Sequence, residues 1–502
     1  MPEPERIYDI DSEYRVPDLT PAIPPGGHVT ELPTSTLRTT YYDTADLRLT
    51  RSGAMLRHRR GDDGPPWTLT LPSGPPAHIR REATARGISG RGISGRIPEE
   101  LSRLALGYTR GASVSPVASL RVTRHRYQVV GTAGIPLAVL AAETVTVHAG
   151  KRPVSTYRQL VLTHLAGDPD LLNRIEKLVV AAGATEGGHL PEQVRALGPL
   201  AAQPPDLPPA QPVGTDPLAA DLLIEELRRQ VADLITADSA VRFAPEDPAA
   251  VETLRLACRR LRTDLRVFSP LFVGEGPHLV EPLRDLAGAV RGVVGPRTRR
   301  ARLEAIDVAG FDAKAAARLT ETLATLEGRA VDALRRHLVS DAYLRMLDDL
   351  VATARAPRLG DPAQAVASQI LPVLAATFWE RLAAAVDRLG RPHDTADWRV
   401  ARREARRLRR LTQLAVPVVG APARRLADAL DPVIAMLDVV REAHRGVAGW
   451  QEASDAAPYD RLLAITVGRL VEREYVLAAA AREGFAEVWG ETDWRAATEW
   501  LV

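Results

Sequence analysis

The sequence of 502 residues has a single cysteine, Cys258, and no long apolar run. One cysteine excludes an internal disulfide framework and any zinc site built from several cysteines. No uninterrupted apolar stretch approaches the ~18 residues of a membrane-spanning helix, and the acidic beginning, MPEPERIYDID, lacks a signal pattern. We therefore expect a cytoplasmic protein with no membrane partner.

Lysine and aromatic residues are also scarce. Only three of the 65 basic residues are lysine, so nearly all of the positive charge is arginine. The formal net charge of +2 excludes a uniformly basic nucleic-acid coat, so an anion site requires local segregation of arginine. Aromatic side chains make up 5% of the sequence and are not interleaved with the basic runs, which disfavours a surface that stacks bases.

The distribution of proline and of apolar residues predicts two domains. Residues 201–217 contain six prolines and read as an extended linker with little that could pack. Short β-rich segments separated by turn residues fill residues 1–200, whereas helical periodicity fills residues 218–495. The predicted fold class is α+β: an antiparallel β domain followed by an all-α domain with two bundle halves, at about 218–355 and 360–495.

One predicted helix carries a ridge of arginines. Residues 254–268, LRLACRRLRTDLRVF, contain five arginines and one acid. At roughly 100° per residue, four of the arginines fall on one narrow stripe while the apolar residues cluster on another face. Cys258 borders the apolar face, which predicts a small buried side chain rather than a nucleophile. The stripe consists of Arg255, Arg259, Arg262 and Arg266.

A second ridge repeats this spacing. Residues 397–411, DWRVARREARRLRRL, follow the first ridge by about 147 residues, which suggests a duplicated bundle. Like charges one helical turn apart are unfavourable, so a solvated helix face is the alternative that this arrangement disfavours. Two such ridges facing each other would form a cleft suited to phosphate. The arginines of the second ridge are Arg402, Arg406 and Arg409.

The two ridges resemble the signature helices of the conserved histidine alpha-helical domain, or CHAD, family. The matching segments are VETLRLACRRLRTDLRVFSPLF, residues 251–272, and RVARREARRLRRL, residues 399–411. The resemblance implies two four-helix bundles around a basic cavity that binds inorganic polyphosphate without a cofactor. It assigns the phosphate contacts to the seven ridge arginines. The family's name-giving histidines are replaced here by Glu252 and Arg399.

The β-rich part is similar to the CYTH, or triphosphate-tunnel, family over residues 39–72, TTYYDTADLRLTRSGAMLRHRRGDDGPPWTLTLP. The resemblance implies a β tunnel or barrel whose inward arginines grip a triphosphate. On β alternation Arg57 and Arg59 share one face, and Arg124 and Arg126 would supply the opposite wall.

The same resemblance implies a catalytic Mg²⁺ or Mn²⁺ ion held by carboxylates, for which Asp9, Asp11 and Glu143 are the candidates. The sequence departs from the family pattern at several positions. Glu13 stands where the family's N-terminal motif has a lysine, and Thr70 stands in WTLTLP where the family has a lysine that points into the tunnel. The glutamates of the late strand are replaced by Gln159, Val161 and Thr163. These losses predict a catalytically inactive tunnel.

Three functions remain open on the sequence alone. The first is a polyphosphate-binding protein that acts through the helical domain, with short phosphate compounds as further ligands of the β domain and polyphosphate granules as an expected location. The second is a metal-dependent triphosphate or polyphosphate hydrolase that uses the three carboxylates. The third is a nucleic-acid-binding module, which the low aromatic content disfavours.

Overall fold

The computed structural model describes residues 5–61, 64–72, 80–85, 96–132, 134–150, 152–187, 192–273, 278–305, 312–389, 395–455 and 460–501. The chain divides into two compact units, Met1–Asp206 and Leu207–Val502. The first is built on one β-sheet and the second is helical, so the predicted fold class is confirmed. Within the described residues, no helix combines the length and apolar character needed to cross a membrane.

Nine strands form the sheet of the first unit, and neighbouring strands are antiparallel throughout. In chain order they are β1 (Glu5–Ile10), β2 (His28–Asp43), β3 (Met55–Arg60), β4 (Trp67–Pro72), β5 (Arg80–Ala85), β6 (Ser115–Val130), β7 (Pro136–Ala149), β8 (Arg152–His164) and β9 (Thr185–Glu186). Their order across the sheet is β5-β4-β3-β2-β6-β7-β8-β1-β9. The segments predicted as strands from their β-branched and aromatic residues lie in β2, β3, β4 and β6.

Helices cover one face of this sheet. Alternate residues of β1, β7 and β8, such as Tyr8, Leu140 and Leu160, are buried beside Ile175 and Val179 of a helix that follows β8. The side chains one turn apart on that helix therefore complete a core on this face. The helices of the first unit that contact the sheet from outside are α1 (Arg48–Arg51), α2 (Glu99–Thr109) and α3 (Asp170–Ala181).

The other face of the sheet curves around a short helix, α4 (Glu192–Leu197). Glu192 accepts a hydrogen bond from Tyr41 of β2, whereas Arg195 lies 3.0 Å from Asp9 of β1. These strands are four positions apart in the sheet order. A flat sheet would separate them by about 19 Å, but α4 is only about 9 Å long. The sheet must therefore bend to bring both strands to the same helix.

The helical unit repeats its order of elements. Two runs of four helices, α5 to α8 and α10 to α13, are offset by about 147 residues, and consecutive helices pack against each other within each run. The helices are α5 (Ala219–Phe243), α6 (Pro248–Val267), α7 (Val280–Glu304), α8 (Ala313–Leu338), α9 (Asp341–Arg355), α10 (Ala367–Val386), α11 (Thr395–Val419), α12 (Ala421–Asp455), α13 (Arg461–Glu491) and α14 (Trp494–Thr498).

The proline-rich segment packs more than its composition predicts. Ala201 is buried, Arg51 donates to the backbone oxygen of Pro204 at 2.9 Å, and the buried Arg110 forms an ion pair with Asp206. The expectation that the segment has little to pack is therefore wrong for residues 201–206. Residues 209–216 are mostly exposed.

Candidate functional site

Helix α6 presents the first arginine ridge because its apolar face is fixed in the core. Asp247 caps the helix by accepting a hydrogen bond from the Ala249 backbone at 3.0 Å, and a proline follows the cap. Leu254 and Leu261 are fully buried on the opposite side from the ridge. Cys258 is buried with them and donates to the Leu283 backbone oxygen at 3.1 Å, which confirms its prediction as a buried side chain. Burial raises the pKa of this thiol to about 12.

The two ridge helices, α6 and α11, lie side by side in parallel. Arg410 of α11 donates to both carboxylate oxygens of Asp264 at 2.6 and 2.8 Å, and Arg259 lies among the charges of Arg406 and Arg402. The contact positions advance in the same direction along both helices, which requires a parallel arrangement. The predicted approach of the two ridges is therefore observed.

A buried ion-pair network beneath the ridges fixes this arrangement. Besides Asp264, Arg410 also contacts Glu226 of α5, whose carboxylate accepts from Gln230 at 2.8 Å. Asp264 and Glu226 are almost fully buried. Burial raises the pKa of Asp264 to about 6, although the Arg410 guanidinium favours its charged form. Arg410 was not among the predicted site residues because it lies off the ridge, and its role is to position the helices.

Seven arginines from four helices form one cluster whose charges interact. We call it the basic groove; its arginines are Arg255, Arg259, Arg291, Arg402, Arg406, Arg441 and Arg445. Burial and the charges of neighbouring arginines, led by Arg406, lower the pKa of Arg259 to about 10. Burial and like charge likewise lower the pKa of Arg441 to about 9 and that of Arg445 to about 10. A guanidinium with a lowered pKa lacks sufficient negative charge nearby.

Three acids offset part of this charge. Arg402 and Arg406 both form ion pairs with Asp438 of α12. Burial alone would raise the pKa of this carboxyl group, but the two guanidiniums outweigh burial and lower it. Arg255 forms an ion pair with Glu252, with its Nε 2.6 Å from the carboxylate. The third acid, Glu442, accepts a hydrogen bond from Arg441 at 2.8 Å and lies 3.5 Å from Arg445. The ridges are therefore partly compensated.

The remaining ridge arginines lie outside the groove. Arg266 is close to Arg262, Arg403 and Arg407, and burial together with these like charges lowers its pKa. Arg409 pairs instead with Asp431, which is about half exposed. The two ridges therefore converge at Arg255, Arg259, Arg402 and Arg406, while Arg262 and Arg266 extend the positive charge along α6.

Three groove residues were missed from the sequence. Arg441 and Arg445 share the four-residue spacing of the ridges, so this spacing on α12 was a usable signal. Arg291 of α7 has no such neighbour, and only its approach to Arg445 reveals it. These residues belong to helices whose placement depends on the packing of the whole bundle.

On the β-sheet, one row of side chains crosses four strands at the same level. The strand register aligns Asp9 with Gln159, Gln159 with Glu143, and Glu143 with Arg124. Gln159 donates to Glu143 at 2.8 Å, and Arg124 forms an ion pair with the same carboxylate. Glu143 is buried, and these two contacts satisfy its charge within the sheet.

The predicted metal ligands do not form one cluster. Asp9 forms an ion pair with Arg195. After the end of β1, Asp11 accepts a hydrogen bond from the backbone N–H of Glu13 at 2.9 Å. Glu143 is bound by Gln159 and Arg124. No three carboxylate, imidazole or thiol groups of the described residues converge as metal ligands would.

The predicted arginines of β3 face α4. Arg57 and Arg59 lie on the sheet face that carries Tyr41, as their pairing with β2 requires. Arg59 is 4.0 Å from Glu192 and 3.3 Å from the Thr39 hydroxyl, and burial lowers the pKa of Arg57. A carboxylate of the chain therefore lies beside the arginines predicted to grip a triphosphate. The Nε atoms of Arg57 and Arg126 are buried and have no hydrogen-bond partner among the described residues.

Comparisons with known proteins find similar sequences and similar structures. Two proteins of Mycobacterium tuberculosis, described as uncharacterized proteins MT2285 and Rv2226, are each 29% identical over 380 residues, which cover 70% of this chain and 71% of theirs. The crystal structure of the CHAD domain from the plant Ricinus communis is 17% identical and has a TM-score of 0.47, covering 58% of this chain and 94% of that one. The putative adenylyl cyclase HpAC1 from Hippeastrum, described as having a dominant triphosphatase activity, is 17% identical and has a TM-score of 0.25. This likeness covers 39% of this chain and 97% of that one.

The family model of the CHAD domain matches residues 225–445. All seven arginines of the basic groove fall inside this range. This part of the helical unit is therefore similar to the CHAD domain.

Proposed function

We propose that this protein binds inorganic polyphosphate in the basic groove of its helical unit. The observation that carries the proposal is the convergence of seven arginines from four helices with only three acids paired to them. Burial and mutual repulsion accordingly lower the pKa values of Arg259, Arg441 and Arg445. Partly buried guanidiniums that repel each other are costly unless an anion neutralises them. A ligand with repeated phosphates supplies that charge and accepts the paired N–H donors of several arginines at once.

The length of the charged surface favours a chain over a single phosphate. Arg255 and Arg266 are eleven residues apart on α6, which corresponds to about 16 Å of helix. On α11 both Arg402 and Arg406 pair with Asp438, whereas on α6 Glu252 pairs with Arg255 and leaves Arg259 without an ion pair among the described residues. An extended polyanion lying along α6 could contact both ends of this surface, and this contact would need no metal.

A charge-matched pair of variants tests this function in the full chain. Arg259→Gln, Arg441→Gln and Arg445→Gln together should weaken long-chain polyphosphate binding by more than tenfold, measured by calorimetry in the absence of metal. The salt dependence of the affinity should also become shallower, by analogy with counterion release from other polyanions.

The control removes the same charge at three exposed ion pairs away from the groove, with Arg318→Gln, Arg335→Gln and Arg425→Gln. This variant should bind nearly as tightly as the parent. Equal losses in both triple variants would show that only net charge matters, which would reject the groove as the binding site.

For the β-sheet unit, we propose binding of short phosphate compounds without hydrolysis. The support is that Asp9 and Glu143 are each engaged by an arginine, whereas the buried Nε atoms of Arg57 and Arg126 have no hydrogen-bond partner among the described residues. Phosphate release from tripolyphosphate with Mg²⁺ or Mn²⁺ should stay far below ordinary enzyme rates of ~1 to 10³ s⁻¹. Rapid turnover that Asp11→Ala abolishes would establish the hydrolase instead.

A further inference from the structure

A pocket of about 370 Å³ lies beside the basic groove, between the first turns of α11 and the middle of α12. Arg441 and Arg445 line both the pocket and the groove, so the two are continuous. The remaining walls are different in character, because Trp398, Leu437 and Val440 give the pocket an apolar side. We call this cavity the tryptophan pocket.

Neighbouring side chains hold the indole of Trp398 in place. Phe485 of α13 meets it edge-on at 5.2 Å between ring centroids, and the Arg482 guanidinium lies 5.6 Å from the ring. Arg482 also donates to Nε2 of His444 at 3.3 Å, while Nδ1 of that histidine lies 2.6 Å from the Val440 backbone oxygen. With both ring nitrogens engaged, His444 forms part of the wall rather than a free base.

The pocket does not match the chemistry of inorganic polyphosphate, which is polar along its whole length and gains nothing from an indole. An apolar wall with a fixed aromatic ring, next to two guanidiniums whose pKa values are lowered, suits an anion that carries a flat apolar group beside its phosphates. Bases stack on aromatic side chains irrespective of base identity. A volume of about 370 Å³ lies within the range of small-ligand sites.

We propose that the tryptophan pocket binds nucleoside triphosphates, with the base against Trp398 and the phosphates on Arg441 and Arg445. This inference deepens the proposed function, since it rests on the same two arginines as phosphate contacts. Nucleotides and polyphosphate would then compete at one end of the basic groove.

Calorimetry with ATP and tripolyphosphate tests the pocket, because the two ligands have equal numbers of phosphates. The full chain without metal should bind ATP about tenfold more tightly, or about 1.4 kcal/mol. Trp398→Ala should remove this preference and leave tripolyphosphate affinity within about twofold, whereas Trp398→Phe should keep most of it. The fitted stoichiometry reports the folded fraction of each variant.

The matched control is Trp494→Phe, in an aromatic cluster with Trp379 and Trp489 that does not line the pocket. It should leave the preference for ATP unchanged. Equal affinities of the unmodified chain for ATP and tripolyphosphate would reject nucleotide binding in the tryptophan pocket. Binding of long polyphosphate in the same experiments would still support the proposed function. Trp398-dependent ATP binding without any long-chain polyphosphate binding would reject the proposed function and keep the pocket.

Discussion

Arg441→Gln should stabilise the ligand-free protein while weakening its binding of polyphosphate. The Arg441 side chain is 24% exposed, and its pKa is lowered from 12.5 to about 9 by burial and by the charges of Arg402 and Arg445. Each pKa unit corresponds to about 1.4 kcal/mol, so the charged form carries a cost of at most about 5 kcal/mol. Solvent screening reduces this value severalfold. Loss of the hydrogen bond to Glu442 lowers the free energy of unfolding by about 1 kcal/mol and so offsets part of this gain.

The expected net gain in the free energy of unfolding is about 1 kcal/mol at pH 7 and low salt. Urea unfolding, followed by circular dichroism, measures it directly. The gain should shrink in 0.5 M salt, because screening weakens the repulsion among the groove arginines. It should also shrink as pH rises. Between the folded pKa near 9 and the higher unfolded value, the unfolded parent chain binds more protons, so the stability of the parent increases with pH.

The control, Arg425→Gln, removes an arginine that is half exposed and paired with Glu499. It should change stability by less than about 0.5 kcal/mol. If Arg441→Gln instead destabilises the protein by more than the control does, then Glu442 and Asp438 compensate Arg441 fully. The lowered pKa values could then no longer be taken as evidence for a missing anion.

Three further predictions concern the scaffold. Cys258 should resist iodoacetamide in the native protein at pH 8 and react on unfolding, because its pKa is raised to about 12; rapid native labelling would contradict its burial. Arg410→Met should cost about 3 to 5 kcal/mol in urea unfolding because the fully buried Asp264 loses its ion-pair partner, whereas Arg409→Met, at an exposed pair, should cost under about 1 kcal/mol. Limited proteolysis should cut first within residues 209–216 and leave two folded fragments, as judged by mass spectrometry; first cuts within residues 201–206 would show that the packing of that segment is weak.

The sequence predicted those features that depend on local periodicity. The helical wheel of residues 254–268 placed Cys258 beside the apolar face and Arg259 about 100° away on the arginine stripe, because a rigid helix fixes which residues share a face. Strand alternation likewise placed Arg57 and Arg59 on one face of β3. These predictions hold regardless of what packs against the element.

Features that depend on distant partners could not be predicted in this way. The charged partner of Asp9 or of Arg59 cannot be read from β1 or β3, because α4 supplies Arg195 and Glu192 from about 130 or more residues away along the chain. A helix of six residues also has too little periodicity to be recognised. The prediction of metal ligands rests on a motif resemblance, which carries no information about the neutralisation of Asp9 by Arg195.

The two ridges have the same spacing, which predicts equal contributions to binding, but their surroundings make them unequal. Arg402 and Arg406 share Asp438, so part of their donor capacity and charge is already used within the protein. Among the described residues Arg259 forms no ion pair with a carboxylate, and it lies among the charges of Arg406, Arg255 and Arg402. A bound polyanion would therefore gain most from Arg259 and the arginines of α12, while Asp438 holds the second ridge in position. One acid on a neighbouring helix thus makes the two copies of the motif electrostatically unequal.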